Sequence, residues 1–435
     1  MTRARDRVDA DADDADTVTV TLHNGVRVVV FRLPHRATVA VSVFVRSGSQ
    51  YEDVRENGIS HFIEHMAFKG TRRRDCQRIN LDAERLGADV NAHTDKDHTG
   101  FHMRGLARDA PAFVRMLGDI VRESTFPESE LERERDVLLH EYAEDEDDAM
   151  ATAFKLFDKA CYGTHPAARP VIGRRSNIRR FTRAELVAWV RRQYTGENTV
   201  IGVAGNVDPE EMIAAARVAF RGMPAGSPNV IPAPEYVGGV GARRLTGSSQ
   251  VHVVLGFPIP PLTRKHQAFV VGAALLGEGM SSPLLDRLRE RRGLVYHADC
   301  WTHVRDAYGQ FVIEASTARV HVPEYMNEVA RLLRQHAEAT DRVGLERARN
   351  QAAVRCLDAW ESPTERLELA ALDLFALGRV RSREERLASI AAVRPAEVRA
   401  AFQQMLMAGP AVAMAGKITA GGAERMGRLL NGSRR

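Results

Sequence analysis

The sequence predicts an α+β protein of two homologous halves, each an antiparallel-rich sheet covered by helices. Three observations predict it. Runs of alternating β-formers and runs with helical spacing are mixed without strict βαβ alternation. A stretch crowded with Pro and Gly, RGMPAGSPNVIPAPEYVGGVG (221–241), lies almost at the midpoint of the 435 residues. The apolar segment VIGVAGNVD (200–208) is echoed by VAMAGKIT (412–419), an offset of 211 residues taken from Gly205 to Gly416.

Each element follows from local chemistry. The first sixteen residues hold five aspartates between Asp9 and Asp16 and no apolar run behind their arginines. That excludes a secretory signal, argues against an acid-poor mitochondrial presequence, and predicts a disordered charged tail over 1–16. TVTVTLHNGVRVVVF, from Thr17, places β-formers on both sides of Asn24-Gly25, a hairpin signature. TVAVSVFVR (38–46) sets Val39, Val41, Val43 and Val45 on one face and predicts a half-buried strand. Helical spacing follows through GISHFIEHMAFKGT (58–71) and again from about Cys76 to Leu86. A strand pattern returns at Asp89–Arg104, and helices then dominate to about Tyr194. Asp208, Pro209 and Glu211 occupy the N-cap, N1 and N3 positions of a helix start. The expected boundaries are a first domain over 17–225, a linker over 226–240 and a second domain over 241–435.

Composition narrows the function. With 44% hydrophobic and 27% charged residues the chain is globular, and its net charge of +4 comes from arginines interleaved with acids, which argues against a nucleic-acid partner. No apolar run reaches the roughly 18 residues of a membrane span. Cys76, Cys161, Cys300 and Cys356 lie far apart without CxxC spacing, which fits reduced thiols and a cytoplasmic location.

The chemistry concentrates in HFIEH. Residues four apart share a helix face, so His61 and His65 can present both imidazoles to one ion, with Glu64 on the same face and Phe62, Ile63 and Met66 turned to the core. The five-letter pattern alone arises by chance in about one chain in a hundred of this length. A catalytic zinc site needs a third protein ligand, and ERERDVLLHEYAEDEDD (132–148) offers Glu141, with Glu134 two turns earlier to fix the tautomer of a ligating histidine. His140 is near but points about 100° away round the helix. The acids from Glu144 to Asp148 fit a solvated helix face; the alternative is that they line the substrate chamber and favour peptides with arginine or lysine near the cut.

HxxEH within GISHFIEHMAFKGT, ERDVLLHE ending 76 residues after His65, and NAHTDKDHT at 91–99 together resemble the pitrilysin and insulinase family of inverzincin peptidases, over about residues 17–420. The subgroup is that of mitochondrial processing peptidase and its bacterial relatives. The resemblance implies one zinc ion per chain on His61, His65 and Glu141, Glu64 as general base and Glu134 as support. In LRERRGLVY (288–296) it implies that Arg289 holds a substrate carbonyl and Tyr296 donates to the oxyanion, where the residues alone read as an arginine-rich helix end capped by Gly293. It implies that Asn91 and Ala92 open an edge strand that pairs with a bound peptide, whatever its sequence.

The chain departs from the family at Pro283, which puts the local helix start in question, and at His93, where an aromatic residue is usual; His93, His98 and His102 read by default as a polar strand face. The two domains are expected to form half of a clamshell. The expected activity is zinc endopeptidase action on short or unfolded peptides, including presequence-like basic ones, by a homodimer whose sites are completed in trans or by a heterodimer with a related subunit. The alternatives are a non-catalytic core or substrate-recognition subunit, and a metal-independent peptide-binding chaperone.

Overall fold

The structure is a computed structural model that describes residues 7–10, 16–418, 421–422 and 424–425. Within the tail expected to be disordered, β1 (Arg7–Ala10) pairs antiparallel with β2 (Thr17–Thr21); residues 1–6 and 11–15 lie outside the described residues. Gly25, at φ +87°, turns β2 into β3 (Arg27–Arg32), as the Asn-Gly pair predicts. Then come β4 (Thr38–Val45), α1 (Ile59–Ala67), α2 (Cys76–Arg85), β5 (Asp89–Thr94), β6 (Thr99–Leu106), α3 (Ala110–Glu123) and α4 (Glu128–Asp147). They are followed by α5 (Ala149–Tyr162), α6 (Arg175–Ile178), α7 (Arg183–Gln193), β7 (Thr199–Gly205) and α8 (Pro209–Ala219). Asp208 caps α8 by accepting from Glu210 N–H at 3.0 Å, and Thr182 and Glu185 form a capping box on α7.

The later elements are β8 (Gly239–Arg244), β9 (Val251–Ile259), α9 (Gln267–Gly277) and α10 (Pro283–Leu285), which runs into a π-helical turn over Asp286–Arg291. β10 (Val295–Val304), β11 (Gly309–Thr317), α11 (Val322–Glu338), α12 (Arg342–Glu361) and α13 (Pro363–Leu377) follow. α14 (Arg383–Ala391), α15 (Pro395–Ala408) and β12 (Ala411–Gly416) complete the series. The Pro283 departure does not disturb the helix start: Ser282 is the N-cap, accepting from Leu285 N–H at 3.3 Å, and Pro283 takes N1.

The two sheets repeat one topology. The first has the order β1-β2-β3-β7-β4-β6-β5 and the second β10-β11-β9-β12-β8. Each is antiparallel apart from one pair, β3 with β7 and β12 with β8. Counted from that parallel pair, β3-β7-β4-β6-β5 matches β8-β12-β9-β11-β10 strand for strand. The repeated segments noticed in the sequence are the closing strands β7 and β12 of the two sheets.

The compact units are not contiguous in sequence. One contains residues up to Tyr142, Pro170–Ile231 and Ala359–Ser382; the other contains Ala143–Arg169, Pro232–Asp358 and the residues from Arg383 onward. In the first unit Val39, Val41, Val43 and Val45 of β4 pack with Phe62, Leu117 and Trp189. The opposite sheet face, with Val29, Phe31, Ala40 and Phe44, packs under Trp360, Leu367 and Leu374. β4 is therefore buried on both faces instead of one, because a segment more than 300 positions away covers the second. In the second unit Val253, Leu255 and Phe257 face Leu275, Val329 and Phe402, while α5 lies on the other face with Phe157 against Gly256.

Candidate metal centre

α1 starts at Gly58, whose φ of +103° suits glycine and whose own residue type offers no side-chain cap. The cap comes from Glu52. Its buried carboxylate accepts from Gly58 N–H at 2.8 Å and from Ser60 N–H at 2.9 Å, and Asn57 Nδ2 donates to it at 2.9 Å. An anion at a helix N-terminus satisfies amides that the helix leaves unpaired. So held, α1 buries Phe62, Ile63 and Met66 and turns His61 and His65 towards α4.

Three groups converge there. His61 Nε2 lies 3.5 Å from Glu141 Oε1, and His65 Nε2 lies 3.5 Å from Glu141 Oε2. One donor atom from each of His61, His65 and Glu141 lies within 4.8 Å of the others. Two atoms each bonded at 2.0–2.1 Å to one tetrahedral ion stand about 3.4 Å apart, so the spacing fits a zinc-class ion. Burial, with His65 beside it, pushes His61 down to about 3, which leaves a neutral imidazole with a lone pair to give. On the other side of His65, Nδ1 lies 3.3 Å from Glu134 Oε2, and Lys69 Nζ donates to Glu134 Oε1 at 2.6 Å. A proton on Nδ1 shared with Glu134 frees Nε2 to face Glu141.

Glu64 sits beside these groups with a different partner. Thr94 of β5 donates its hydroxyl to Glu64 Oε2 at 2.7 Å. Burial raises the Glu64 carboxyl above its usual range, assisted by Glu141 and opposed by Thr94 and His65. The carboxylate is thus shifted towards the basicity wanted of a proton acceptor.

Asn91 and Ala92 lie on β5, the last strand in its sheet, opposite His102 and Phe101 of β6. Asn91 Oδ1 accepts from Ala92 N–H at 2.8 Å. Arg289 and Tyr296 belong to the second unit. Arg289 lies in the π-helical turn, its guanidinium carbon 5.2 Å from the centre of the Tyr296 ring, and Tyr296 is 83% exposed at the start of β10. Gly293, at φ +59°, ends the turn between them.

Within Glu144–Asp148, Lys155 binds Asp145 and Glu146 at 2.6 Å each, Arg243 binds Glu146 at 2.6 Å, and Asp148 caps α5. Sequence reasoning did not find Glu52, Lys69 or Thr94. Thr94 alone left a signal, since it alternates with Ala92 along the strand. Among the described residues no helix is long and apolar enough to cross a membrane, and none of the four cysteines is in a disulfide.

Comparison with known proteins gives the family. Residues 27–175 match the sequence profile described as Insulinase (Peptidase family M16), and residues 180–352 match the profile Peptidase M16 inactive domain. An uncharacterised zinc protease of Mycobacterium tuberculosis is 32% identical over 397 residues, covering 89% of this chain and 90% of that protein. The mitochondrial-processing peptidase subunit beta of Neurospora crassa is 38% identical over 212 residues, 49% of this chain and 44% of that one. The crystal structure of a protease from Helicobacter pylori superposes with a TM-score of 0.84 at 20% identity, over 91% of this chain and 98% of that one, and so shares its fold. With two M16 profiles in succession over residues 27–352 and a relative at this identity covering 89% of the chain, the chain belongs to the insulinase family, peptidase family M16.

Proposed function

We propose that the protein is a zinc-dependent endopeptidase acting on short or unfolded peptides, with zinc, one ion at this site per chain, held by His61, His65 and Glu141. The observation that carries this reading is the convergence of those three donor groups beside Glu64. Bound there, zinc would polarise the scissile carbonyl and lower the pKa of a bound water towards about 7.

The chain's own groups do the rest. Glu64 takes a proton on one carboxylate oxygen and passes it to the leaving amine, while Thr94 holds the other oxygen in place. Glu134 orients His65, and Lys69 holds the other oxygen of the Glu134 carboxylate. The outer edge of β5, at Asn91 and Ala92, pairs with an extended peptide backbone. Tyr296 donates its exposed hydroxyl to the developing oxyanion, and Arg289 holds a substrate carbonyl. A second copy of the chain supplies this pair in a homodimer, or a related subunit does so in a heterodimer; the relative in Neurospora crassa bears the name of a subunit. The basic-peptide preference finds little support, since Asp145, Glu146 and Asp148 are engaged locally. Four cysteines outside any disulfide fit a reducing compartment, the cytoplasm. A purely structural subunit or a chaperone leaves the intact donor set and its oriented Glu64 without a use.

Metal analysis of the purified chain, with peptide digestion mapped by mass, tests the reading. Zinc retained together with chelator-sensitive cleavage is expected. A zinc-loaded protein that cuts no unfolded peptide, alone or with a related subunit, would overturn it.

A further inference from the structure

β5 carries chemistry on both faces. Thr94 points to α1, so His93, one residue earlier, points to the opposite face. There it meets His98 and His102 of the same hairpin and Glu368 of α13, all within the first unit. This is not the polar strand face expected of three strand histidines, because α13 covers them.

The geometry is that of a donor set. His93 Nε2 and His98 Nε2 are 3.1 Å apart, His98 Nε2 is 3.5 Å from Glu368 Oε1, and one donor atom from each residue lies within 4.8 Å of the others. These spacings bracket the roughly 3.4 Å between neighbouring ligands of a tetrahedral ion. Every other ring nitrogen has a hydrogen-bond partner. His98 Nδ1 donates to Asp97 Oδ1 at 2.8 Å, the carboxylate–histidine arrangement that orients a ligating imidazole. His93 Nδ1 lies 2.9 Å from His102 Nε2, and His102 Nδ1 lies 2.8 Å from Ser42 Oγ, so the chain can run with each Nδ1 as the donor. One consistent set of tautomers thus leaves two lone pairs, on His93 Nε2 and His98 Nε2, aimed at one point beside a carboxylate.

Space has been left for the rings as well. His93 and His102 stack with centres 4.9 Å apart, and a Cβ on Gly100 would lie 2.7 Å from His93 Cε1 and 2.8 Å from His102 Nε2. The Glu368 side chain is 36% exposed, which gives an ion a way in and a position for water.

We propose that His93, His98 and Glu368 bind a second divalent transition-metal ion of the zinc class, on the face of β5 opposite α1. Asp97 and His102 are its positioning residues. The ion ties β5 to α13, bracing from behind the strand that holds Thr94 against Glu64. The competing occupant is a proton on His98, shared with Asp97 and Glu368.

The test is a metal count on the untagged full chain, stripped with chelator and reloaded with Zn2+, read by native mass spectrometry, with Co2+ absorption as a second readout. Two ions per chain are expected in the wild type and one in each of Glu368→Gln, His93→Phe and Gly100→Ala, with circular dichroism confirming their fold. Gly100→Ala removes the ring space without touching a ligand. His61→Ala should retain one ion, and Zn2+ should raise its melting temperature; Glu368→Gln combined with His61→Ala should bind none. A single ion in the wild type that His61→Ala abolishes overturns the second site, as do two ions unchanged by Glu368→Gln and His93→Phe. A single ion lost in Glu368→Gln and kept in His61→Ala upholds the second site and removes the first.

Discussion

Thr94 donates its hydroxyl to Glu64 across 2.7 Å, joining the edge strand β5 to the helix that bears HFIEH. Hydrogen bonds to charged groups are worth about 1.5–3 kcal/mol, so Thr94→Val should lower kcat/KM about tenfold or more while leaving the metal bound. Burial already raises the Glu64 carboxyl and Thr94 opposes that shift. Its removal raises the carboxyl further, and the acid limb of the pH–rate profile should move to higher pH. An unmoved acid limb would detach Thr94 from the base.

Glu64→Gln keeps the helix and all three donor groups but removes the proton acceptor. Cleavage should fall by about 10²–10⁴ or more with zinc content and melting temperature unchanged. Zinc lost along with activity would make Glu64 a ligand.

The third donor is tested by its supports. Glu141→Ala, His61→Ala and His65→Ala should each empty the first site, whereas Glu134→Ala should weaken zinc binding by about 10- to 100-fold and not abolish it. Competition with a chelator of known affinity separates the two. A Glu134→Ala protein that binds zinc as tightly as the wild type denies that residue its orienting part.

Glu52 acts on stability. Glu52→Ala removes the acceptor for the Gly58 and Ser60 amides and strands the Asn57 side chain, at a cost of about 1–3 kcal/mol seen in denaturant unfolding. Glu52→Gln, which keeps an acceptor oxygen, should recover part of the loss. Equal losses in both variants would point to charge, not hydrogen bonding, as the source.

Subunit mixing tests completion of the site in trans. Glu64→Gln and Tyr296→Phe chains, each weak alone, should regain activity on exchange, since one site of a mixed dimer has both groups intact. Demonstrated exchange without recovery places both motifs' action within one chain.

Helical period made part of the site readable in advance: His61 and His65 share a face because they are four apart, and Glu134 and Glu141 because they are seven apart. β alternation made the hairpin at Asn24-Gly25 and the strands readable too. What could not be read was contact between segments far apart in sequence. Nothing local to β4 says that Trp360 and Leu367 will cover its second face, nor does anything near His98 announce Glu368. Glu52 reads as one acid among many until the turn at Gly58 brings the helix start onto it.

The sharing of segments between the two units sets an order of assembly. As the chain leaves the ribosome, the strands of the first sheet are complete once Gly205 has emerged, yet Phe31, Phe44 and Val200 have no apolar cover until Trp360 to Leu374 are synthesised. Some 150 further residues must be made while that surface is bare, and long-range closure of this kind is slow and invites aggregation. A ribosome-bound fragment ending near residue 240 should therefore recruit chaperones or remain protease-sensitive, and adding the segment 359–382 as a separate peptide should protect it.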